Sequence, residues 1–293
     1  QFCNLCEINV SDVETQEELN NRVSAASLIG TLQAAYTNFH YLRDVWRRTT
    51  EKDALLGLGM TGIGSGKVQG LDLEEAAKLA VDTNKYYANE LGINSAARVT
   101  TVKPSGTTSC VLGTSSGVHA WHNDYYIRRI RVGKNEAIYT YLLLNHPELV
   151  EDDFFKPETQ AVISIPQKAE EGGILRHETS IELLDRVKDI YQRWIANGHV
   201  AGNNTHNVSC TVSVKEDEWD LVGRWMWDNK EFYNGLSVLP YFAADSTYTQ
   251  LPFEDIDETQ FTELVSTLKE VDVSQVVELM DNTDLTGELA CAG

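Results

Sequence analysis

The sequence predicts an α/β fold, and three observations carry that prediction. Segments with helical spacing of apolar residues alternate with short β-prone runs, the order expected of parallel strand–helix units. Start and stop signals frame the helical segments, with Thr15 and Glu18 forming a capping pattern and Gly92 closing another helix. Hydrophobic content of 42% and charged content of 23% are near the globular average, so the 293 residues have a core to bury. That length suits one large domain or two ordinary ones.

In chain order, residues 1–10 read Gln-Phe-Cys-Asn-Leu-Cys-Glu-Ile-Asn-Val, an apolar-rich strand candidate. Cys3 and Cys6 form a Cys-x-x-Cys pair within it. Zinc would need two more soft ligands at similar spacing, and none is nearby. A thioredoxin-like pair would follow a strand and open a helix, whereas this one lies inside the strand. Residues three apart on a strand face opposite sides, so the two thiols are not placed to share an ion. Cys6 remains open to a plain reading as a small buried hydrophobe. The chain starts at Gln1 inside this strand, and the expectation is a fragment of something longer.

From Thr15 a long amphipathic helix is predicted, with Leu19, Val23, Ala26 and Gly30 roughly on one face. The pattern carries it past Leu32, Phe39 and Leu42 to Trp46, with Arg47 and Arg48 near a C-terminal end where cations are favourable. Residues 57–62, Gly-Leu-Gly-Met-Thr-Gly, spell a GxGxxG string. The segment before it is too short to establish the strand that a dinucleotide fingerprint needs, and the next helix begins only at Leu71 or Asp72. A second amphipathic helix follows over 72–91.

Residues 98–117 hold the densest chemistry. A β-prone run at 99–102 leads to Lys103 and Pro104, and the proline, with no N–H to donate, ends any ladder. Ser105, Gly106, Thr107, Thr108 and Ser109 then form a small turn rich in hydroxyls and backbone donors. A further apolar step, 110–112, enters a second small-residue loop at 113–117. Successive free N–H groups beside hydroxyls cradle a phosphate or carboxylate. An ordinary polar turn uses these same residue types.

Beyond lie His119 and His122 near Asp124, a spacing that raises a metal reading, although loop histidines are more often structural or solvated. Arg128, Arg129 and Arg131 form a basic cluster in an acidic chain, and charge compensation is the simplest explanation. A short helix is predicted over 136–144, a strand at 161–166, a strongly periodic helix over 180–196 and a strand at 207–214. A Trp-rich helix at 218–229, a strand at 236–239 and a short helix near 259–268 complete the pattern.

The net charge of −20 argues against a nucleic-acid polymer or an anionic membrane as partner, because phosphate backbones are held by Lys and Arg. No apolar run approaches a membrane span and no signal peptide is visible. Five cysteines, an odd and sparse set, are unlike a disulfide scaffold and point to a reducing, cytoplasmic compartment.

Residues 100–107, Thr-Thr-Val-Lys-Pro-Ser-Gly-Thr, with 113–117, Gly-Thr-Ser-Ser-Gly, resemble ribonucleotide reductases, in particular the adenosylcobalamin-dependent (class II) catalytic chain. Residues 3–9, Cys-Asn-Leu-x-x-Ile-Asn, match the segment that follows that family's finger loop. Cys291-Ala292-Gly293 looks like the first half of its two-cysteine swinging tail; a leftover surface thiol is the plain alternative. Residues 125–131 are similar to the single-chain branch. The resemblance covers most of this chain but only the C-terminal part of the family's subunit.

It implies part, mainly the second half, of a ten-stranded α/β barrel over 1–250 and an acidic tail over 251–293. The implied activity is reduction of ribonucleotides to 2′-deoxyribonucleotides by thiyl-radical chemistry. Adenosylcobalamin would be the cofactor of the full-length enzyme, and a thioredoxin-like or other dithiol its reductant. Ser105, Gly106, Thr107 and Thr108 would hold the substrate phosphate, and Cys3 and Cys291 would be redox thiols. Cys6 departs from the family, which usually has a small non-thiol residue there. The radical-bearing finger loop, Asn-x-Cys-x-Glu, is not found in these residues, so the chain alone is expected to be inactive. A class I (metal-radical) large-chain fragment and a non-enzymatic phosphate-binding module remain alternatives.

Overall fold

The computed structural model of the chain describes residues 1–241 and 249–278. In chain order these form β1 (Asn4–Asn9), α1 (Gln16–Ala34), α2 (Asp44–Asp53), β2 (Leu56–Thr61), α3 (Leu73–Leu91) and α4 (Gly106–Leu112). Then come β3 (Tyr125–Gly133), α5 (Ala137–Asn145), β4 (Val150–Asp152), β5 (Gln160–Lys168) and α6 (Ser180–Ile190). The last are β6 (Thr211–Val214), α7 (Trp219–Asp228), β7 (Ser237–Pro240), β8 (Phe253–Asp255) and α8 (Glu258–Thr267). The chain divides into two compact units, one of Gln1–Trp121 with Gly172–Tyr241, the other of His122–Glu171 with the later described residues.

The first unit has the parallel order predicted. β1 pairs parallel with β2, from Asn4 opposite Leu56 to Asn9 opposite Thr61. β2 bonds onward to residues 98–102, where Leu58 N–H donates to Val99 O at 2.8 Å and Thr101 N–H to Leu58 O at 2.9 Å. That segment continues to the approach to β6, with Ser209 N–H on Val102 O at 2.9 Å, and β6 pairs parallel with β7. Parallel segments need cover on both faces, and every residue of β2 is buried. The cover on one face comes from α1 and α3, whose Leu19, Val23, Ala76, Ala77 and Ala80 join the core with Leu56, Leu58 and Met60.

Local signals placed these elements well. Thr15 Oγ1 accepts from Glu18 N–H while Glu18 accepts from Thr15 N–H, the reciprocal cap expected at the start of α1. Gly92 ends α3 in the left-handed conformation. Gly57 and Gly59 lie inside β2, not in a nucleotide loop, and a Cβ at Gly57 would overlap Leu5 and sit 2.8 Å from Cys3 Sγ.

The long first helix is corrected: α1 ends at Ala34, and α2 starts afresh at Asp44. Residues 36–41, Tyr-Thr-Asn-Phe-His-Tyr, are all weak helix formers, and the first helix has no face left to bury there. Arg47 and Arg48 therefore lie early in α2, where both pair with Asp44 in its first turn, rather than at a helix C-terminus.

The second unit departs from the parallel expectation. Its sheet runs β4-β5-β3-β8, antiparallel at every pairing. β3 is the basic stretch, where the adjacent Arg128 and Arg129 interrupt the apolar–polar alternation that signals a strand. Charge compensation does explain the cluster: Arg129 pairs with Glu151 and Glu254, Arg131 with Asp153 at 2.8 Å, and Arg128 lies 4.7 Å from the Phe253 ring centre. Among the described residues no helix is long and apolar enough to cross a membrane.

Candidate functional site

β1 sorts its side chains by simple alternation. Cys6 turns toward α1, where a Cβ on Gly30 would come within 3.2 Å of its Sγ. Cys3, Leu5 and Glu7 take the other face, against Gly57 and Gly59 of β2. The two thiols thus point apart, and Cys3, Cys6, Cys110 and Cys210 are all free. Although Cys3 is exposed as a residue, protein atoms crowd its sulfur and push the thiol up to about 11, against the pull of Lys103 and Arg98. It is a protonated thiol at neutral pH.

The Ser105–Ser109 segment is the start of a helix, not an open turn. Pro104 does end the extended run, and Ser105 then caps α4 with Gly106, Thr107 and Thr108 as its first residues. Ser109 N–H is consumed on Ser105 O at 3.2 Å, so it leaves the expected cradle. The N–H groups of Gly106, Thr107 and Thr108 make no hydrogen bond among the described residues, as first-turn donors of a helix do not.

Ser105 does not cap its own helix by side chain: its Oγ donates to Glu7 Oε2 at 2.6 Å. Burial raises the Glu7 carboxyl, and this hydrogen bond partly offsets that. The bond ties the start of α4 to the strand face that carries Cys3. The second loop holds the first in place. Ser116 Oγ accepts from Ser105 N–H at 2.8 Å, while Ser115 O accepts from Gly62 N–H and Thr61 Oγ1, both at 3.0 Å. Val118 O takes the Nε–H of Arg186, whose guanidinium grips Glu178 through two bonds of 2.7 Å.

Glu7 and His206 were not singled out from the sequence. Strand alternation would have found Glu7, which shares its parity with Cys3. Nothing local signals His206, which sits just ahead of residues 207–214. Its Nδ1 lies 3.1 Å from Thr100 O, and its Nε2 lies 4.0 Å from Cys3 Sγ. Burial, with Arg98 and Lys103 nearby, lowers it to about 4.

The other candidates have structural partners. His119 bonds Ser116 O through Nδ1 and accepts from Thr211 N–H through Nε2, and burial lowers it too. His122 meets Asp255 at 3.0 Å and stacks on Phe253. Cys210 is packed in the core, its thiol pushed up to about 12 by burial. Cys291 lies outside the described residues.

The two lowered histidines set a pH dependence of stability. The unfolded chain binds a proton at each near its ordinary value of 6.5, while the folded chain resists until lower pH, about 4 for His206. Stability should therefore fall as pH drops from above 6.5 toward 4. His206 contributes at most about 3 kcal/mol, less the share its solvent contact screens. Glu7, raised by burial, acts in the opposite direction. Urea midpoints at pH 7.5 and 5 should differ, and His206→Gln should narrow the gap; an unchanged gap would place the effect elsewhere.

No family model matches the sequence. A probable adenosylcobalamin-dependent ribonucleoside-triphosphate reductase of Dictyostelium discoideum is 29% identical over 282 residues, covering 88% of this chain and 34% of that protein. An adenosylcobalamin-dependent ribonucleoside-triphosphate reductase of Lactobacillus acidophilus is 25% identical over 331 residues, covering 99% and 42%. The chain resembles the adenosylcobalamin-dependent ribonucleotide reductases. It spans about a third to two fifths of the length of these relatives. A solved B12-dependent (class II) ribonucleotide reductase matches the fold with a TM-score of 0.73 at 21% identity, covering 90% of this chain and 40% of that one.

Set beside the reductase resemblance, Cys3 and the Ser105–Thr108 segment are linked through Glu7. A cavity of about 410 Å³ lies between α1 and α3, lined by Ser24, Leu28, Asp82, Tyr86 and neighbours. It opens in the helix layer on the Cys6 side of β1. Its lining does not fit a cobalamin working at Cys3.

Proposed function

We propose that this chain is the C-terminal portion of an adenosylcobalamin-dependent ribonucleotide reductase, supplying mainly the second half of a ten-stranded α/β barrel. The complete enzyme reduces ribonucleotides to 2′-deoxyribonucleotides, with adenosylcobalamin as its cofactor and a dithiol as reductant. The observation that carries this reading is the Ser105–Glu7 hydrogen bond of 2.6 Å. It ties the start of α4, where three N–H groups are unspent, to the strand face that carries the free thiol of Cys3. Cys3 and Glu7 are four residues apart on that strand, about 13 Å at strand rise.

In this reading Gly106, Thr107 and Thr108 bind the substrate phosphate through backbone N–H groups, favoured by the positive end of α4. Ser105 serves through its backbone position, because its hydroxyl proton is committed to Glu7. Cys3 supplies reducing equivalents as one member of a thiol pair, and Cys291 belongs to a C-terminal segment that exchanges disulfides with it.

The test is turnover. A complete polypeptide containing this chain should convert a ribonucleoside triphosphate, the substrate class in the relatives' names, to its deoxy product with adenosylcobalamin and dithiothreitol. The 293 residues alone should give nothing above a no-protein control. Turnover by these residues alone, or a complete enzyme indifferent to cobalamin, would overturn the reading. Within that enzyme Gly106→Val should raise the nucleotide Kd at least about tenfold, the worth of one charge-assisted hydrogen bond. An unchanged Kd would remove the phosphate from α4.

A further inference from the structure

We propose that His206 is the general base for Cys3, accepting its proton through Nε2 as the sulfur exchanges with a disulfide. The assignment rests on which ring nitrogen is free. Nδ1 lies 3.1 Å from Thr100 O, a group that only accepts, so Nδ1 carries the hydrogen in the neutral ring. Nε2 is then a lone pair, and it faces Cys3 Sγ at 4.0 Å, within reach of a thiol hydrogen bond. The pair is joined across 203 residues of sequence, so it exists only in the folded chain. Thr100 is itself fixed, its Oγ1 donating to Trp194 O at 2.7 Å, which makes the carbonyl behind the imidazole a rigid stop.

The surrounding charges favour a neutral couple at rest. Arg98 and Lys103 act on both groups, His199 on the imidazole and Cys6 on the thiol. The cations and the crowding around both groups keep the imidazole unprotonated, down to about 4, and crowding keeps the thiol protonated, up to about 11. A thiol so raised has almost no thiolate at neutral pH, and the thiolate is the nucleophile. A base in contact with the S–H removes that obstacle.

The step balances. The Cys3 S–H bond breaks, its proton passes to Nε2, and the sulfur's electron pair forms a bond to one sulfur of the incoming disulfide. The other sulfur leaves as thiolate and then takes the proton from Nε2. Cys3 is oxidised to the disulfide level, and the leaving sulfur is reduced to a thiol. Its place in turnover rests on the redox role proposed above for Cys3; the chemistry of the couple is measured without turnover, so the two stand or fall separately.

The test follows exchange of the folded chain with an aromatic disulfide, dithiobis(nitrobenzoate), read at each cysteine by peptide mass spectrometry. Cys110, exposed and far along the chain, is the internal reference. An unaided thiol at about 11 reacts tenfold faster per pH unit from about pH 5 to 8, in step with its thiolate. With His206 as base, Cys3 should instead show a nearly flat rate over that range. His206→Leu and His206→Gln should both slow Cys3 at least about tenfold at pH 7.5 and restore the steep slope, leaving Cys110 unchanged. Gln keeps an N–H for Thr100 O, so it separates loss of the base from loss of the fold. A steep wild-type slope would overturn the proposal, as would a Gln variant that keeps the rate or a Leu variant that reacts faster.

Discussion

Cys3→Ser in the complete enzyme is expected to abolish multiple turnover with a dithiol reductant, while Cys6→Ser leaves it in place. Each product requires two electrons, and a serine hydroxyl cannot form the disulfide that carries them. The strand decides which thiol is in position. Cys3 shares its face with Leu5 and Glu7 and lies against Gly57 of β2, whereas Cys6 is packed at α1 against Gly30. Burial raises the Cys6 thiol, as expected of a packing residue. Replacing it by serine puts a hydroxyl against apolar neighbours and should cost about 1 kcal/mol of stability, without touching turnover. Product per active site, counted with excess reductant, checks both. Loss of turnover in Cys6→Ser with retention in Cys3→Ser would move the redox role to the other thiol.

Gly117→Ala should be the most damaging small substitution near the phosphate segment, lowering unfolding free energy by about 3 kcal/mol. Gly117 has φ +54°, a left-handed conformation in which a side chain costs energy, and a Cβ there would overlap Lys103 O. Neither partner has room to yield. Gly117 N–H donates to Thr61 Oγ1 at 3.1 Å, and its carbonyl accepts from Ile63 N–H at 3.2 Å. Lys103 leads directly into Pro104 and the start of α4. Gly113→Ala is the control: Gly113 has φ +64° with nothing near its missing Cβ, so it should cost only about 1 kcal/mol of backbone strain. Urea unfolding of the two variants measures the difference. Equal losses would mean that the overlap with Lys103 O relaxes freely.

The site was legible where chemistry follows from local pattern. Strand alternation over residues 3–9 places Cys3 and Cys6 on opposite faces before any fold is known. Pro104 ends its extended run, and the residues after it carry the unspent N–H groups. Their geometry was not legible. Ser105-Gly106-Thr107-Thr108-Ser109 has turn composition, yet it winds into α4. Ser116 Oγ and Glu7 fix Ser105 from outside the segment, and Ser109 N–H then closes the first helical bond. The break after Ala34 was missed for the converse reason: apolar residues continued at helical spacing, but the chain found no surface for them to bury.

What the sequence by itself determined is the set of short-range features. The Thr15–Glu18 cap, the stop at Gly92 and the two faces of β1 each depend on residues within a turn or two. What only the tertiary structure decided is which distant groups meet. Glu7 reaches Ser105 across 98 residues and His206 reaches Cys3 across 203. The antiparallel sheet of the second unit likewise brings β8 beside β3 from far along the chain. Such pairings are set by closing long loops onto a packed core, and that free energy is summed over the whole unit rather than written in any one segment.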